Sequence, residues 1–195
     1  MRYLPRAVAL ALTLIASAWA APAPTAGHYT LDPAKSSLQF TFLQAGARNT
    51  GKFTRFAVSF DVPPANSTAG RLEVTVEVGS LDTGDQDRDD TLRGADLFAV
   101  AKFPQARFSA TQIERTAGGY QAVGKLTIRG VTRDERIPFT FSEADEHGVA
   151  AGYLIGKTTV RRLDFGVGQG DWKATDQAGN DVTVSFTLRL TGAAH

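Results

Sequence analysis

Apolar and polar residues alternate along most of this chain. In residues 70–81, Leu72, Val74, Val76 and Val78 lie on one face of an extended segment, and mostly polar residues lie between them. A two-residue period is typical of a half-buried β-strand. The same period recurs in segments that begin near Leu38, Phe56, Ala106, Tyr120, Ile137, Leu154 and Val182. The pattern predicts seven or eight antiparallel strands.

Turn residues and glycines indicate how these strands are arranged. Pro63-Pro64-Ala65-Asn66 and Gly118-Gly119 separate neighbouring strand segments, so the strands follow one another as hairpins in a barrel or a sandwich. Gly124, Gly152 and Gly156 fall inside strands, where a closing sheet must bend or another group must approach the backbone. We therefore predict an all-β, eight-stranded antiparallel barrel, with an interior that side chains fill or that holds one small ligand.

Residues 82–103 form the one long segment without alternation. Asp85 to Arg93 can form a short helix, with Asp85 as its N-cap and further aspartates in the first turn. We predict a short helical flap around residues 85–100, placed over the mouth of the barrel.

The beginning of the chain has the pattern of a secretory signal. Arg2 and Arg6 precede a short apolar run, and Ala18-Trp19-Ala20 is an A-x-A cleavage site. The apolar run is too short for a membrane helix. We predict a signal peptide over residues 1–20, cleavage after Ala20 and a periplasmic protein.

The remaining residues form one domain. Residues 21–27 are rich in alanine and proline and predict a linker, and residues 28–192 predict the barrel domain. The chain contains no cysteine, which excludes disulfides, cysteine-ligated zinc and a thiol nucleophile. The signal peptide takes two of the 21 basic residues, against 20 acidic ones, so the domain is close to neutral and nucleic-acid binding is not expected.

Residues 80–98 contain six aspartates and two motifs that point to different chemistry. Asp82-Thr83-Gly84, with Leu154-Ile155-Gly156 later in the chain, resembles a retroviral-type aspartic protease, which would be a homodimer sharing a carboxylate dyad. Four more aspartates follow directly, and such crowding does not suit a dyad that shares one proton. We expect no catalytic residue, and the protease remains the alternative.

The same aspartates have part of the spacing of a calcium-binding loop. Asp85, Asp87 and Asp89 have the spacing of the first three ligands, but Asp90 stands where the loop needs glycine, and Asp96 where it needs a bidentate glutamate. We expect no metal site and no cofactor.

Several short segments resemble those of a known family in their sequence, their order along the chain and their spacing. They include Gly51-Lys52-Phe53-Thr54-Arg55-Phe56, Ser80-Leu81-Asp82-Thr83-Gly84, Ala101-Lys102-Phe103-Pro104 and Arg162-Leu163-Asp164-Phe165-Gly166-Val167-Gly168. With these, residues 29–190 resemble the YceI-like family of bacterial secreted lipid-binding proteins. The resemblance implies a lipocalin-like barrel, a flap at the Asp-Thr-Gly stretch and a carrier for a polyisoprenoid or similar amphiphile in an apolar tunnel.

The resemblance also implies partners. The ligand would be an isoprenoid, a quinone or a fatty amphiphile, and a subgroup similar to this sequence is associated with membrane b-type cytochromes; a homodimer is a further expectation. Many members have a histidine where this chain has Thr91. A ligand-free structural barrel is the second alternative. The residues expected to contact the ligand are Phe40, Phe42, Phe53, Phe56, Val76, Phe98, Phe103, Phe108, Leu126, Ile128, Phe139 and Phe141.

Overall fold

A computed structural model describes residues 27–146 and 148–192, which form mainly antiparallel strands. The predicted signal peptide and the predicted linker up to residue 26 lie outside the described residues. No helix in the described part of the chain is long and apolar enough to cross a membrane. In chain order the elements are β1 (His28–Leu31), β2 (Ser37–Gln44), β3 (Ala47–Phe53), β4 (Phe56–Asp61), β5 (Arg71–Glu77), β6 (Leu81–Asp82), α1 (Gln86–Arg93), β7 (Gln105–Thr116), β8 (Gly119–Ile128), β9 (Val131–Glu146), β10 (Val149–Arg161) and β11 (Asp181–Gly192).

The sheet closes on itself through β11. This strand pairs with β10 along one side, and on the other side it pairs with β2 over residues 183–187 and with β1 over residues 190–192. Because β1 also pairs with β4, the eight strands β1, β4, β5, β7, β8, β9, β10 and β11 form a closed ring. The predicted eight-stranded antiparallel barrel is confirmed.

At the end of the barrel near β2, the wall is completed in a different way. There β2 pairs with β3, and β3 pairs with β6 only at Lys52 and Phe53. Residues 78–104, which we name the flap, cover the wall beyond this point. The backbone N–H of Val78 donates to the Pro104 carbonyl (2.9 Å), so the two ends of the flap are joined.

The predicted short helix of the flap is confirmed as α1. The Asp85 carboxylate accepts a hydrogen bond from the backbone N–H of Arg88 (3.0 Å), as expected of an N-cap. The helix ends before Gly94.

The end of the barrel near β1 is solid. Phe60, Ile113, Ala122 and Leu190 are completely buried there. The Phe60 ring packs edge-on against Phe139, with ring centroids 5.7 Å apart, and against Phe141 at 4.9 Å. Such edge-to-face pairs fill space closely, so this end of the barrel leaves no room for a ligand.

Two of the predicted strand glycines lie under aromatic rings. A Cβ atom at Gly152 would come within 2.6 Å of the Phe141 ring, and one at Gly156 would collide with the Phe186 ring. Both rings come from neighbouring strands. The close approach that these glycines predicted is confirmed, and any side chain here would push an aromatic ring out of the core.

A polar network seals the place where β11 changes partner from β2 to β1. The backbone N–H of Arg189 donates to the Ser36 hydroxyl (3.0 Å), which replaces the missing strand contact. The Arg189 guanidinium pairs with Asp32 (2.6 Å) and with Glu146 (2.5 Å), and only 11% of its side chain is exposed. Tyr153 also donates to Glu146. The network therefore ties β11 to the turn before β2 and to the end of β9.

This network predicts a dependence of stability on acid. Hydrogen bonds from Arg189 and Tyr153 lower the pKa of Glu146 from 4.5 to about 2. A lowered pKa stabilises the folded protein above the ordinary pKa, and this stabilisation is lost as the pH falls from 4.5 towards 2. We expect Glu146→Gln to flatten the fall of unfolding free energy over that range, measured by urea denaturation at a series of pH values.

Glu135→Gln is the control for this experiment. Burial raises the pKa of Glu135, so its contribution has the opposite sign and its removal should leave the loss of stability in acid in place. An equal slope for the wild type and Glu146→Gln between pH 4.5 and 2 would contradict the role given to the network.

Candidate functional site

The end of the barrel opposite the solid core contains a cavity of about 710 Å³. This volume lies within the range of about 300–1,000 Å³ that is usual for small-molecule sites. Side chains of β2 to β5 and of β7 to β11 form its walls, and the flap and the loop of residues 162–180 complete them.

The cavity is apolar from its floor upwards. Val58, Leu72, Phe108, Leu154 and Leu188 form the floor, where the cavity meets the solid core. The lining positions of β11 run from Val182 to Leu188. These seven residues span six steps of about 3.3 Å, so the cavity extends about 20 Å along the strand direction.

Aromatic rings form part of the wall near β2 and β3. The Phe40 ring lies 5.9 Å from Phe42 and 5.0 Å from Phe53, measured between ring centroids. Phe40 also lies directly over Gly51, where a Cβ atom would collide with the ring. The position of these rings therefore depends on a glycine in β3.

Nine of the twelve residues that the sequence predicted for ligand contact line this cavity together. They come from six strands and from the flap, and they are Phe40, Phe42, Phe53, Phe56, Val76, Phe98, Phe108, Leu126 and Ile128.

The other three predicted residues lie elsewhere. Phe139 and Phe141 belong to the solid end, where they pack around Phe60. Phe103 lies outside the barrel, against the turn between β8 and β9 at Gly130. These positions correct the prediction: alternation identifies an inward-facing side chain but does not tell which end of the barrel is hollow, and Phe103 belongs to no strand.

Polar side chains gather at the mouth of the cavity. Gln44 and Asn49 come from the β2–β3 hairpin, and Asp85, Arg88 and Thr91 come from α1 and its cap. Arg88 pairs with Asp85 (3.3 Å), and the Thr91 hydroxyl donates to a backbone carbonyl within the helix (2.8 Å). The two amides of Gln44 and Asn49, which sequence reasoning missed, are neutral hydrogen-bonding groups at this end.

Arg162 is a second lining residue that sequence reasoning missed. It is only 7% exposed, and its guanidinium donates to the carbonyls of Val167 (2.8 Å), Ala178 (2.5 Å) and Gly179 (2.9 Å). Burial lowers its pKa. Within the described residues no carboxylate pairs with it, so three carbonyl dipoles stabilise its charge.

Gly168 leaves the space that the Arg162 side chain occupies. Gly168 has a φ of +119°, and the guanidinium lies where a Cβ atom of that residue would be. An arginine followed six residues later by a glycine is too short a pattern to identify such a site without the structure. In the fold, Arg162 fixes the loop of residues 166–180 beside the cavity mouth.

The Asp-Thr-Gly stretch forms the turn that leads into α1. Asp82 accepts a hydrogen bond from the backbone N–H of Gly84 (2.9 Å) and lies 3.4 Å from the Lys52 ammonium. These contacts, that of Gly84 above all, lower its pKa. The carboxylate is absent from the cavity lining, and its surroundings favour the ionised form, whereas a protease dyad must share a proton.

The remaining aspartates of this stretch serve the local backbone. Asp89 is buried and accepts hydrogen bonds from the backbone N–H of Thr83 (2.9 Å) and from its hydroxyl (2.7 Å), while Asp85 caps the helix. Across residues 27–146 and 148–192, no three metal-ligating side chains come together.

Comparison with known proteins identifies a family and several relatives of this chain. The YceI-like domain family matches residues 29–190. Proteins named UPF0312 from Yersinia pestis and Yersinia pseudotuberculosis are 33% identical to this chain over 130 residues, which cover 64% of this chain and 66% of theirs.

Solved structures share the fold. BcnA of Burkholderia cenocepacia is 31% identical, with a TM-score of 0.70 over 82% of this chain and 98% of BcnA. A domain from Saccharophagus degradans, described as polyisoprenoid binding and implicated in plant cell wall breakdown, has a TM-score of 0.61 at 18% identity, over 84% of this chain and 98% of that domain. At this identity the second likeness concerns the fold alone.

The buried position of Arg162 predicts a large effect of its removal. Arg162→Met leaves three carbonyls without their donor, and each buried unsatisfied group costs about 1–3 kcal/mol. We expect a loss of more than about 2 kcal/mol in unfolding free energy. Hydrogen exchange should also show faster exchange in residues 166–180.

Arg161→Met is the matched control. The Arg161 side chain is 65% exposed and pairs with Asp164 at the surface (2.7 Å), so its removal should change stability by less than about 1 kcal/mol. Equal effects of the two substitutions would show that the carbonyl contacts of Arg162 do not stabilise the loop.

Proposed function

The chain belongs to the YceI-like family, and on that premise we propose that it binds a polyisoprenoid or a related long apolar amphiphile inside its barrel. The observation that carries the proposal is the cavity of about 710 Å³, apolar along its length, with polar side chains at its mouth. The polyisoprenoid-binding description of the Saccharophagus degradans domain supports the choice of ligand class.

Burial of the ligand chain supplies the binding free energy in this proposal. Each buried methylene contributes about 0.8 kcal/mol, so a chain that fills the cavity binds without directed polar contacts. A branched isoprenoid chain matches walls made of phenylalanine, valine and leucine. This also explains why no catalytic or metal motif marks the site, and we propose a carrier rather than an enzyme.

The distribution of polar groups gives the ligand a direction. The apolar tail lies towards the floor at Phe108 and Leu188, and the polar head lies at the mouth beside Gln44, Asn49 and Arg88. The amides of Gln44 and Asn49 can each donate and accept hydrogen bonds. They suit a hydroxyl or a carbonyl head group, and we therefore extend the proposal to isoprenoid quinones. A membrane b-type cytochrome as partner and a homodimer stay predictions.

The proposed function also includes export of the protein to the periplasm. We propose that the protein acts in the periplasm after cleavage behind Ala20, on the basis of the A-x-A site and the apolar run before it. The intact mass of the protein from a periplasmic fraction should correspond to a chain that begins at Ala21. A mass that includes residues 1–20 in that fraction would rule out cleavage.

A substitution that fills the cavity tests the ligand site. Val74 lines the cavity, and we expect Val74→Trp to weaken the binding of a long-chain prenol at least about tenfold, because the indole takes the space of the chain. Titration with prenols of increasing length, followed by native mass spectrometry, measures both the affinity and the stoichiometry. The wild type should bind one prenol per chain.

Two control variants accompany this experiment. Thr75 follows Val74 in β5 but is absent from the cavity lining, so Thr75→Trp should leave the affinity unchanged. Asp82→Asn should also bind prenol like the wild type, and proteolysis that this variant loses would favour the protease alternative. Failure of the wild type to take up any prenol, or to release an apolar ligand into organic solvent, would leave a barrel without a carrier function.

A further inference from the structure

A second cavity lies outside the barrel, between the flap and the turn that joins β8 to β9. Its volume is about 480 Å³, and none of its lining residues lines the barrel cavity. Residues of the second half of the flap and Arg129 of the turn line this cavity. The lining residues are Arg93, Gly94, Ala95, Ala99, Ala101, Lys102, Phe103 and Arg129.

The charged side chains of this second cavity are all cationic. Among the described residues that line it, three are basic and none is acidic. The Arg93 guanidinium is already used, since it donates to the carbonyls of Gly79 (3.2 Å) and Leu81 (2.6 Å) and pairs with Asp90 (3.1 Å). Lys102 and Arg129 form no ion pair with any carboxylate of the described residues.

These two cations lie around one aromatic ring. The Lys102 ammonium is 5.3 Å from the centroid of the Phe103 ring, and the Arg129 guanidinium is 5.9 Å from it. Both residues also line the second cavity. An anion bound in this cavity would therefore be attracted by both charges.

Arg129 also has a buried donor without an acceptor. Its Nη2 donates to the Ala95 carbonyl (2.8 Å), but its Nε is buried and bonds to no described residue. Buried donors are nearly always hydrogen-bonded in folded proteins, so an orphan of this kind indicates a missing partner. A guanidinium offers its N–H groups as a planar fork that matches the oxygens of a phosphate.

The backbone of Arg129 is held in an unfavourable conformation. Arg129 and Gly130 both have positive φ angles, 50° and 74°, as the central residues of a two-residue hairpin turn require. Asparagine is the usual residue at the first of these positions, and a side chain as long as arginine is uncommon there. The turn therefore directs Arg129 towards the flap without any benefit to the turn itself.

We infer that this second cavity, which we name the flap anion site, binds an organic phosphate monoester. Lys102 and Arg129 supply two positive charges for a phosphate that carries close to two negative charges at neutral pH. Ala95, Ala99, Ala101 and Phe103 supply apolar surface for the substituent that the phosphate carries. The source of the phosphate is either a soluble metabolite or the head group of an anionic lipid, and both present the same chemistry to the site.

Calorimetric titration with phenyl phosphate tests the soluble form. At about pH 7.5, above the second pKa of a phosphate monoester, we expect saturable binding by the wild type. Arg129→Asn removes the guanidinium and places the favoured residue in the turn, so this variant should fold at least as well as the wild type and yet bind at least about tenfold more weakly. Lys102→Gln should weaken binding to a similar degree.

Flotation with vesicles tests the lipid form. Vesicles of phosphatidylcholine, with and without phosphatidic acid, present the same phosphate monoester in a membrane. Binding that requires phosphatidic acid and is lost in Arg129→Asn assigns the site to a lipid head group, and binding of phenyl phosphate alone assigns it to a soluble ligand.

Two controls separate the flap anion site from other effects. Lys125→Gln removes an exposed cation of β8 that pairs with Asp134 (2.7 Å), and it should bind phosphate like the wild type. Prenol binding should be unchanged in Arg129→Asn and Lys102→Gln, because neither residue lines the barrel cavity. The inference is overturned if neither probe binds, or if Arg129→Asn and Lys102→Gln bind as tightly as the wild type.

Discussion

One edge of β11 pairs with two different strands, and the rest of this structure depends on that constraint. The last residues of β11 pair with β1, and the residues before them pair with β2. Through β1 and β4 the first pairing closes a ring, and a closed ring of eight strands is narrow enough for phenylalanine and leucine side chains to fill it. The second pairing joins β11 to β2, and β2 pairs with β3. On its other side, β3 pairs with β6 at only two residues. Arg189 and Ser36 hold the point where the two pairings meet, so one end of the barrel is tight and the other is open to further structure.

The flap completes the wall at the open end of the barrel. Within the described part of the chain, no strand continues the wall beyond the pairing of β6 with Lys52 and Phe53, and the flap places α1 and its apolar neighbours there instead. The cavity lies behind this segment. The polar groups that α1 needs for its cap and first turn then lie at the mouth. Thus the polarity of the cavity, apolar at the floor and polar at the mouth, follows from the way the wall is completed.

Much of this was predictable from sequence, and the exceptions have physical causes. Alternation with a period of two identified β2, β4, β5 and β7 to β11 but missed the short strands β1 and β6 and the largely polar β3. The run of aspartates with Asp85 in front identified α1. The inward faces were also predictable, but Phe139 and Phe108 look alike in sequence although one lies in the solid end and the other at the cavity floor. Their difference depends on which strands meet across the barrel. Arg162 was missed because its partners are backbone carbonyls, which leave no pattern of side chains to find.

The division of the barrel into a solid end and a hollow end has a consequence for how such a domain can diverge. The aromatic core around Phe60 is made of side chains that pack on one another, so its packing does not depend on what the cavity contains. Residues such as Phe42 and Val182 line the hollow end and are not part of the solid core, so a change in their size alters the space for the ligand before it disturbs that core. Natural selection can therefore act on ligand preference and on thermodynamic stability through separate sets of positions. A duplicated copy of this gene would be free to acquire a new ligand while its fold is preserved.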